Sequence, residues 1–327
     1  TGVQTCALPI SPSQKDLRRR RILIGVGALI AIACAYLSRT FLWAAVWPEQ
    51  FNVATQVENV TNSITKWILA NLEIFTEGFK NLISYGVLNP LESLLAGSPW
   101  YVTVGFVVAL ALVVAGLRVA VLSLCLALLI VLSGLWYESM LTLTQTIVGT
   151  LLTMLVGMAL GIWTGRNDRV EKFLRPFLDA GQTLPAFVYL VPMLGLFGPT
   201  RFTAIATGIV YSIPIVVKIV CEGIRSVPYS LVEAATAAGS TTKQIITKVQ
   251  LPAAKKTILL AVNQGLIYVL AVVVIGGFVG SGGLGYLVIV GNAKPELQGK
   301  GLLAGACILL LGVIFDRIMQ ASAKRSS

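Results

Sequence analysis

Histidine is absent from the 327 residues. Its absence removes the commonest general base and metal ligand. Charge is also scarce. Asp, Glu, Lys and Arg make up 12% of the chain, against roughly 25% in a soluble domain. The five cysteines, Cys6, Cys34, Cys125, Cys221 and Cys307, form no C-x-x-C pair and lie mostly in apolar runs. They read as small core residues rather than a metal site or a disulfide framework. No G-x-x-x-x-G-K-[ST] occurs, so any ATP hydrolysis must be done by another chain. Without histidine or paired membrane carboxylates, an intramembrane enzyme is disfavoured, and no cofactor or metal is expected on this chain.

What is abundant is apolar sequence, at 56%. A helix needs about 20 apolar residues to cross a bilayer. Candidate spans fall at 22–45, 100–117, 119–136, 140–165, 183–200, 202–222, 256–280 and 301–320. The expected fold is an all-α polytopic membrane protein with about eight transmembrane helices. The second and third spans are short and tightly joined at Arg118, as a helical hairpin. The net charge of +11 sits in short clusters between spans, which sets membrane orientation rather than a nucleic-acid surface. With Arg18–Arg21 in the cytoplasm, nineteen Lys and Arg fall inside and five outside. Both termini are then cytoplasmic. The first span, preceded by RRRR, could be a cleaved signal peptide, but it is long for a core of about 7–15 residues and reads as an anchor.

The chain divides accordingly. Residues 1–21 form a tail, of which 1–12 (TGVQTCALPISP) read as non-native; 22–45 form the anchor. Residues 46–99 form an external amphipathic segment, with Ile64, Trp67, Ile68, Leu72, Ile74, Phe75, Phe79, Leu82 and Ile83 largely on one stripe. It suits a helix on the outer membrane face or one packed against the spans. The hairpin takes 100–136, a core 137–320 and a tail 321–327. Gly157, Gly161 and Gly165 share one face of the fourth span, a spacing that lets two helices approach closely in lipid.

The segment 226–256, SVPYSLVEAATAAGSTTKQIITKVQLPAAKK, is too polar to cross a bilayer yet patterned as structure. Ser230 and Glu233 have capping-box spacing. Ala234–Ala238 favour helix and Gly239 supplies a stop. Ser240 or Thr241 starts a second short helix, and Pro252 stands where the next span begins. The pattern predicts two short helices with an elbow at Gly239, able to move as a body. An ordinary amphipathic connector fits the same pattern.

Glu233, Ala234, Ala235 and Gly239, followed after nine residues by Val249, Leu251 and Pro252, resemble the E-A-A…G…I-x-L-P mark of ABC-importer permeases, with Val249 in the usual Ile place. A finer resemblance covers about 136–320. It rests on LGIWTGR (160–166), RPFLDAGQTLPAFVYLVPM (175–193), KVQLP (248–252), VNQ (262–264), GGLG (282–285) and DR (316–317). These are similar to permeases of the glycine betaine/proline osmoprotectant group, close to its choline and carnitine relatives.

The resemblance implies a MetI-like ABC-importer permease core in a bacterial plasma membrane. It implies a separate ATPase dimer that uses ATP and Mg, an external substrate-binding protein, and a permease homodimer surrounded by lipid. The 230–249 loop would dock into the ATPase and pass its closure to the spans. A Gly239→Asp change is expected to leave the protein inserted and uncouple uptake from ATP.

Gln182, Thr183 and Pro185 at the cytoplasmic entrance of the fifth span, Pro192 within it, and Asn263 and Gln264 in the seventh are candidate pathway-lining residues. Proline breaks helical hydrogen bonding, and broken helices are tolerated at membrane depth where they line protein or water. The same residues could serve helix kinking and packing alone. The scattered Trp and Tyr suggest no aromatic cage. Residues 280–285, GSGGLG, match G-x-G-x-x-G, but an apolar span precedes them where a dinucleotide site needs a strand; a turn or half-inserted hairpin is expected. Rival readings are a permease for another small solute such as an amino acid, and an ATP-independent channel or carrier. The latter would usually keep membrane-buried ionisable residues.

Overall fold

The structure, a computed structural model, describes residues 14–41 and 53–325. Residues 1–12 with Cys6, the last part of the expected anchor (42–45), and residues 46–52 and 326–327 lie outside the described residues. Among the described residues every regular element is helical.

The described residues fall into two compact units, divided between Ile64 and Thr65. The first holds α1 (Gln14–Thr40), whose apolar stretch Arg18–Thr40 has no buried residue. A helix apolar all round and exposed along its length is suited to lipid. It also holds the start of α2 (Val53–Ile83), which runs on into the second unit.

Within the second unit the expected stripe of α2 divides. Ile68 and Leu72 are half-buried and Ile83 is buried, but Ile74 and Phe75 stay exposed. A π turn at Ser84–Leu88 leads into α3 (Asn89–Ala96). Arg201 clamps α3 by an ion pair to Glu92 and a 3.1 Å hydrogen bond to Asn89 Oδ1.

The hairpin is α4 (Trp100–Ala115) and α5 (Leu117–Leu132). Its break falls at Gly116, not at Arg118 as expected. Gly116 has φ 95°, a region open to glycine at little cost, while Arg118 lies in the first turn of α5.

The centre of the unit is α6 (Trp136–Arg166), α9 (Arg201–Arg225) and α11 (Lys255–Ile275). The glycine stripe of α6 meets Val216, Val220 and Ile224 of α9. A Cβ at Gly157 would stand 2.5 Å from Val216 Cγ1, and one at Gly161 2.6 Å from Val220 Cβ. Small residues thus let the two backbones approach within the reach of dispersion. Helix α13 (Gln298–Arg325) packs on α11, and the hairpin packs on α13 through Ala111, Ala120, Ile130, Leu311 and Ile314.

The eight expected spans are not all formed as such: α5, with sixteen residues, is short for a crossing. Residues 183–200 are not a straight span. Helix α7 (Asp168–Thr183) ends, Leu184 and Pro185 are extended, and a 3-10 turn (Ala186–Tyr189) leads into α8 (Leu190–Phe197), with a bend of 107°. Pro185 explains the break, because its ring drives the preceding residue out of the α region. Helix α12 (Gly283–Ala293) was not anticipated; with eleven residues it is too short to cross. Among the described residues five helices are long and apolar enough to span, or seven if each of two bent pairs counts as one.

Candidate coupling and translocation site

The segment between α9 and α11 is built as two short pieces about an elbow. Helix α10 (Tyr229–Ala237) carries Glu233, Ala234 and Ala235. Pro228 takes the N-cap position and no side chain caps it, so the expected Ser230–Glu233 box is not formed. The helix starts directly after Pro228, which leaves Ser230 inside its first turn, where a cap residue cannot sit.

The expected stop is there. Gly239 has φ 78°. Its N–H donates to Thr236 O at 2.9 Å and Ser240 N–H donates to Ala235 O at 3.0 Å. This pair of bonds is the Schellman closure of a helix end.

Thr241 then opens the second piece. Its hydroxyl accepts from Gln244 N at 3.4 Å while Gln244 Oε1 accepts from Thr241 N at 2.8 Å, a full capping box. A helical turn Thr242–Gln244, a π stretch Ile245–Gln250 and a turn Leu251–Ala253 carry the chain to α11. Pro252 lies in that last turn, just ahead of the span rather than inside it.

Burial separates the two faces of this lever. Glu233, Ala234, Gly239 and Pro252 are exposed, and Ala235, Val249 and Leu251 are half-buried. Val232 and Leu251 pack on the cluster of Met154, Val216, Val220, Ile224, Val227, Ala254 and Ala261. A buried amide adds a polar tie: Arg166, the last residue of α6, donates from Nη1 to Gln250 Oε1. The exposed side is left for another surface, while the rooted side grips α6, α9 and α11.

The proposed lining residues are distributed between two environments. Gln182 is half-buried; its Oε1 accepts from Lys218 Nζ at 2.6 Å, and its Nε2 is buried without a partner. Lys218 also pairs with Asp179 at 2.5 Å. Thr183 is exposed and donates to Ala180 O at 2.8 Å. Pro185 sits at the helix break between α7 and α8, and Pro192 lies exposed in the first turn of α8. Asn263 faces another way. It is buried and donates from Nδ2 to Asp316 Oδ1 of α13 at 3.0 Å, which makes it a helix–helix contact in this structure. Gln264 is half-buried on a different face of α11.

A cleft of about 310 Å³ between α7 and α9 is lined by Glu171, Arg175, Asp179, Lys218, Glu222 and Arg225. Both signs of charge are balanced there.

One grouping corrects the sequence reading. Tyr189, Tyr211 and Tyr268 come together, with ring centroids 5.7 Å apart for Tyr189–Tyr211 and 5.7 Å for Tyr211–Tyr268. They derive from the 3-10 turn, α9 and α11. Their separation along the chain hides the cluster, and no local spacing rule would have found it.

GSGGLG is an ordered turn pinned on α6. Gly280, Gly282 and Gly283 all have positive φ. Gln145 Nε2 donates to Ser281 O at 2.9 Å, and Leu284 N donates to Thr142 Oγ1 at 2.9 Å. A 3-10 turn at Gly276–Val279, not a strand, precedes it.

Residues 157–327 match the family model described as binding-protein-dependent transport system inner membrane component. The chain belongs to that family. The transport component is 35% identical over 260 residues to the glycine betaine/proline betaine transport system permease protein ProW of Escherichia coli, covering 80% of this chain and 73% of that one. It is 33% identical over 263 residues to the glycine betaine transport system permease protein OpuAB of Bacillus subtilis, covering 80% and 92%. Among solved structures it resembles a chain of the inward-facing MetNI methionine ABC transporter, with TM-score 0.51 and 23% identity over 58% of this chain and 93% of that one. That likeness supports the permease fold. The transport component is a multi-pass membrane protein of a binding-protein-dependent importer.

Proposed function

We propose that this chain is the permease subunit of an ABC importer for glycine betaine or related quaternary amines. It forms the pathway and hydrolyses no ATP itself. A separate ATPase dimer, using ATP and Mg, engages the loop of Glu233, Ala234, Ala235 and Gly239 and is read through Val249, Leu251 and Pro252. An external binding protein delivers the solute. Two copies of the permease form the pathway in the plasma membrane, with both termini in the cytoplasm. Neither nucleotide, metal nor nucleic acid is a ligand of this chain.

The observation that carries the reading is the lever itself. Its outer face is free, its elbow is fixed by a Schellman closure, and its apolar foot enters the same cluster that joins α6, α9 and α11. A push on α10 would therefore reach three spans at once. Gln182, Thr183, Pro185 and Gln264 are assigned to the pathway side, with Pro192 near its edge. Asn263 is assigned to hold α11 against α13.

The solute class follows the names of the relatives and fits a cleft of balanced charge. Purified permease, ATPase and binding protein reconstituted in liposomes test the whole scheme. ATP-dependent uptake of labelled glycine betaine is expected. Uptake without the ATPase would mean a carrier, and uptake of an amino acid in its place would mean the wrong solute.

A further inference from the structure

We infer that Tyr189, Tyr211 and Tyr268 form a cation-selective gate in this permease, a wall of ring faces over which the quaternary ammonium of the substrate passes. The inference rests on the substrate class proposed above.

The three rings come from parts of the fold with unequal support. Tyr211 and Tyr268 stand on α9 and α11, which pack extensively on each other and on α6. Tyr189 stands on the four-residue turn Ala186–Tyr189, directly after the extended residues Leu184 and Pro185. Its hydroxyl donates to Gly181 O at 2.6 Å, back across the break. Two rings are thus held on long packed helices, and the third on a short turn just after a helix break.

The surroundings are polar without carrying a net charge of their own. Gln264 lies one turn from Tyr268 on α11, so the two share a face. Gln182 brings a buried Nε2 with no partner. Leu184 and Pro185 are extended and so break the helical ladder. At membrane depth such backbone persists where it borders protein or a wet passage.

A quaternary ammonium accepts no hydrogen bond and donates none. It is held by the negative faces of aromatic rings, with tyrosine among the effective ones. At 5.7 Å the ring pairs touch one another, so the wall is closed in this conformation. Movement of the 186–197 segment at Leu184–Pro185 would part Tyr189 from Tyr211 and open the ring faces. A cation then replaces the ring–ring contact, whereas a solute without one has nothing to offer in exchange.

The test uses the reconstituted complex with glycine betaine as the transported probe. Variants Tyr211→Phe and Tyr211→Leu separate ring from hydroxyl. The Phe variant should keep uptake within about twofold, and the Leu variant should lose about tenfold, the scale of one desolvated cation–π contact. Tetramethylammonium sealed inside the liposomes should inhibit uptake by the wild type and the Phe variant, but no longer by the Leu variant.

Equal loss in the Phe and Leu variants, or undiminished inhibition in the Leu variant, would overturn the gate. Failure of the wild type to carry any betaine would instead refute the substrate class, and the gate would fall with it.

Discussion

Gly239 offers the cleanest perturbation of the lever. A Cβ built there meets no atom within 4 Å, so a substitution meets no steric obstacle in the surroundings. The cost is local. Gly239 sits at φ 78°, and an L-residue held left-handed loses roughly 1–2 kcal/mol. Valine is expected at the upper end, because β-branching narrows its choices further. Asparagine tolerates that region and should cost least. Since about 1.4 kcal/mol is a factor of ten, Gly239→Val, at about 2 kcal/mol, should reduce the population of the correctly closed elbow about thirtyfold.

The assay is uptake per ATP hydrolysed in liposomes, with membrane insertion checked by gradient flotation. Gly239→Val should lower the ratio several-fold with insertion intact. Gly239→Asn should stay near the wild type, and Gly239→Asp should uncouple more than Asn because it adds charge to the exposed face. Wild-type coupling in the Val variant, or equal loss in Asn and Val, would refute an elbow that acts through backbone geometry.

Three further outcomes follow from the packing. Gly161→Ala would push a methyl into Val220 and should destabilise by about 1–3 kcal/mol, seen as a lower thermal midpoint in detergent. Arg166→Met would strand the buried Gln250 amide at about 1–3 kcal/mol; it should lower ATP coupling more than it lowers expression, and equal loss of both would argue for a purely structural tie. Asn263→Leu removes the bond to Asp316 and should cost about 0.6 kcal/mol, the average for such contacts between membrane helices. Solute uptake should change little, and abolished uptake with an unchanged melting point would return Asn263 to the pathway.

The long apolar helices were legible because their signal is local. Helices α9 and α11 follow from runs of apolar residues, and the α6 stripe from three glycines at a spacing of four. The elbow was legible for the same reason, since Gly239 ends a run of alanines. The Thr241–Gln244 box obeys the same spacing rule as Ser230–Glu233, yet only the former is made. Pro228 decides this by fixing where α10 begins, so its ring outweighs the side-chain pattern. The break at Pro185 was visible as a proline, but its bend of 107° depends on what α7 and α8 pack against. Asn263 and Gln264 look alike in sequence. Their different fates depend on a rotation of about 100° per residue along a helix and on Asp316, far along the chain. The tyrosine cluster is of the same kind, a product of tertiary assembly.

The close approach of α6 to α9 limits the kinds of motion open to the protein. With Val216, Val220 and Ile224 seated over a row of glycines, an axial slip of one against the other would drive branched side chains into a neighbouring ridge. Shear between these two helices is thereby opposed, and an impulse arriving at the inner surface is not lost to sliding there. It must turn the pair as one block, and the yielding falls to the weakest joint beside them, the two extended residues ahead of Ala186.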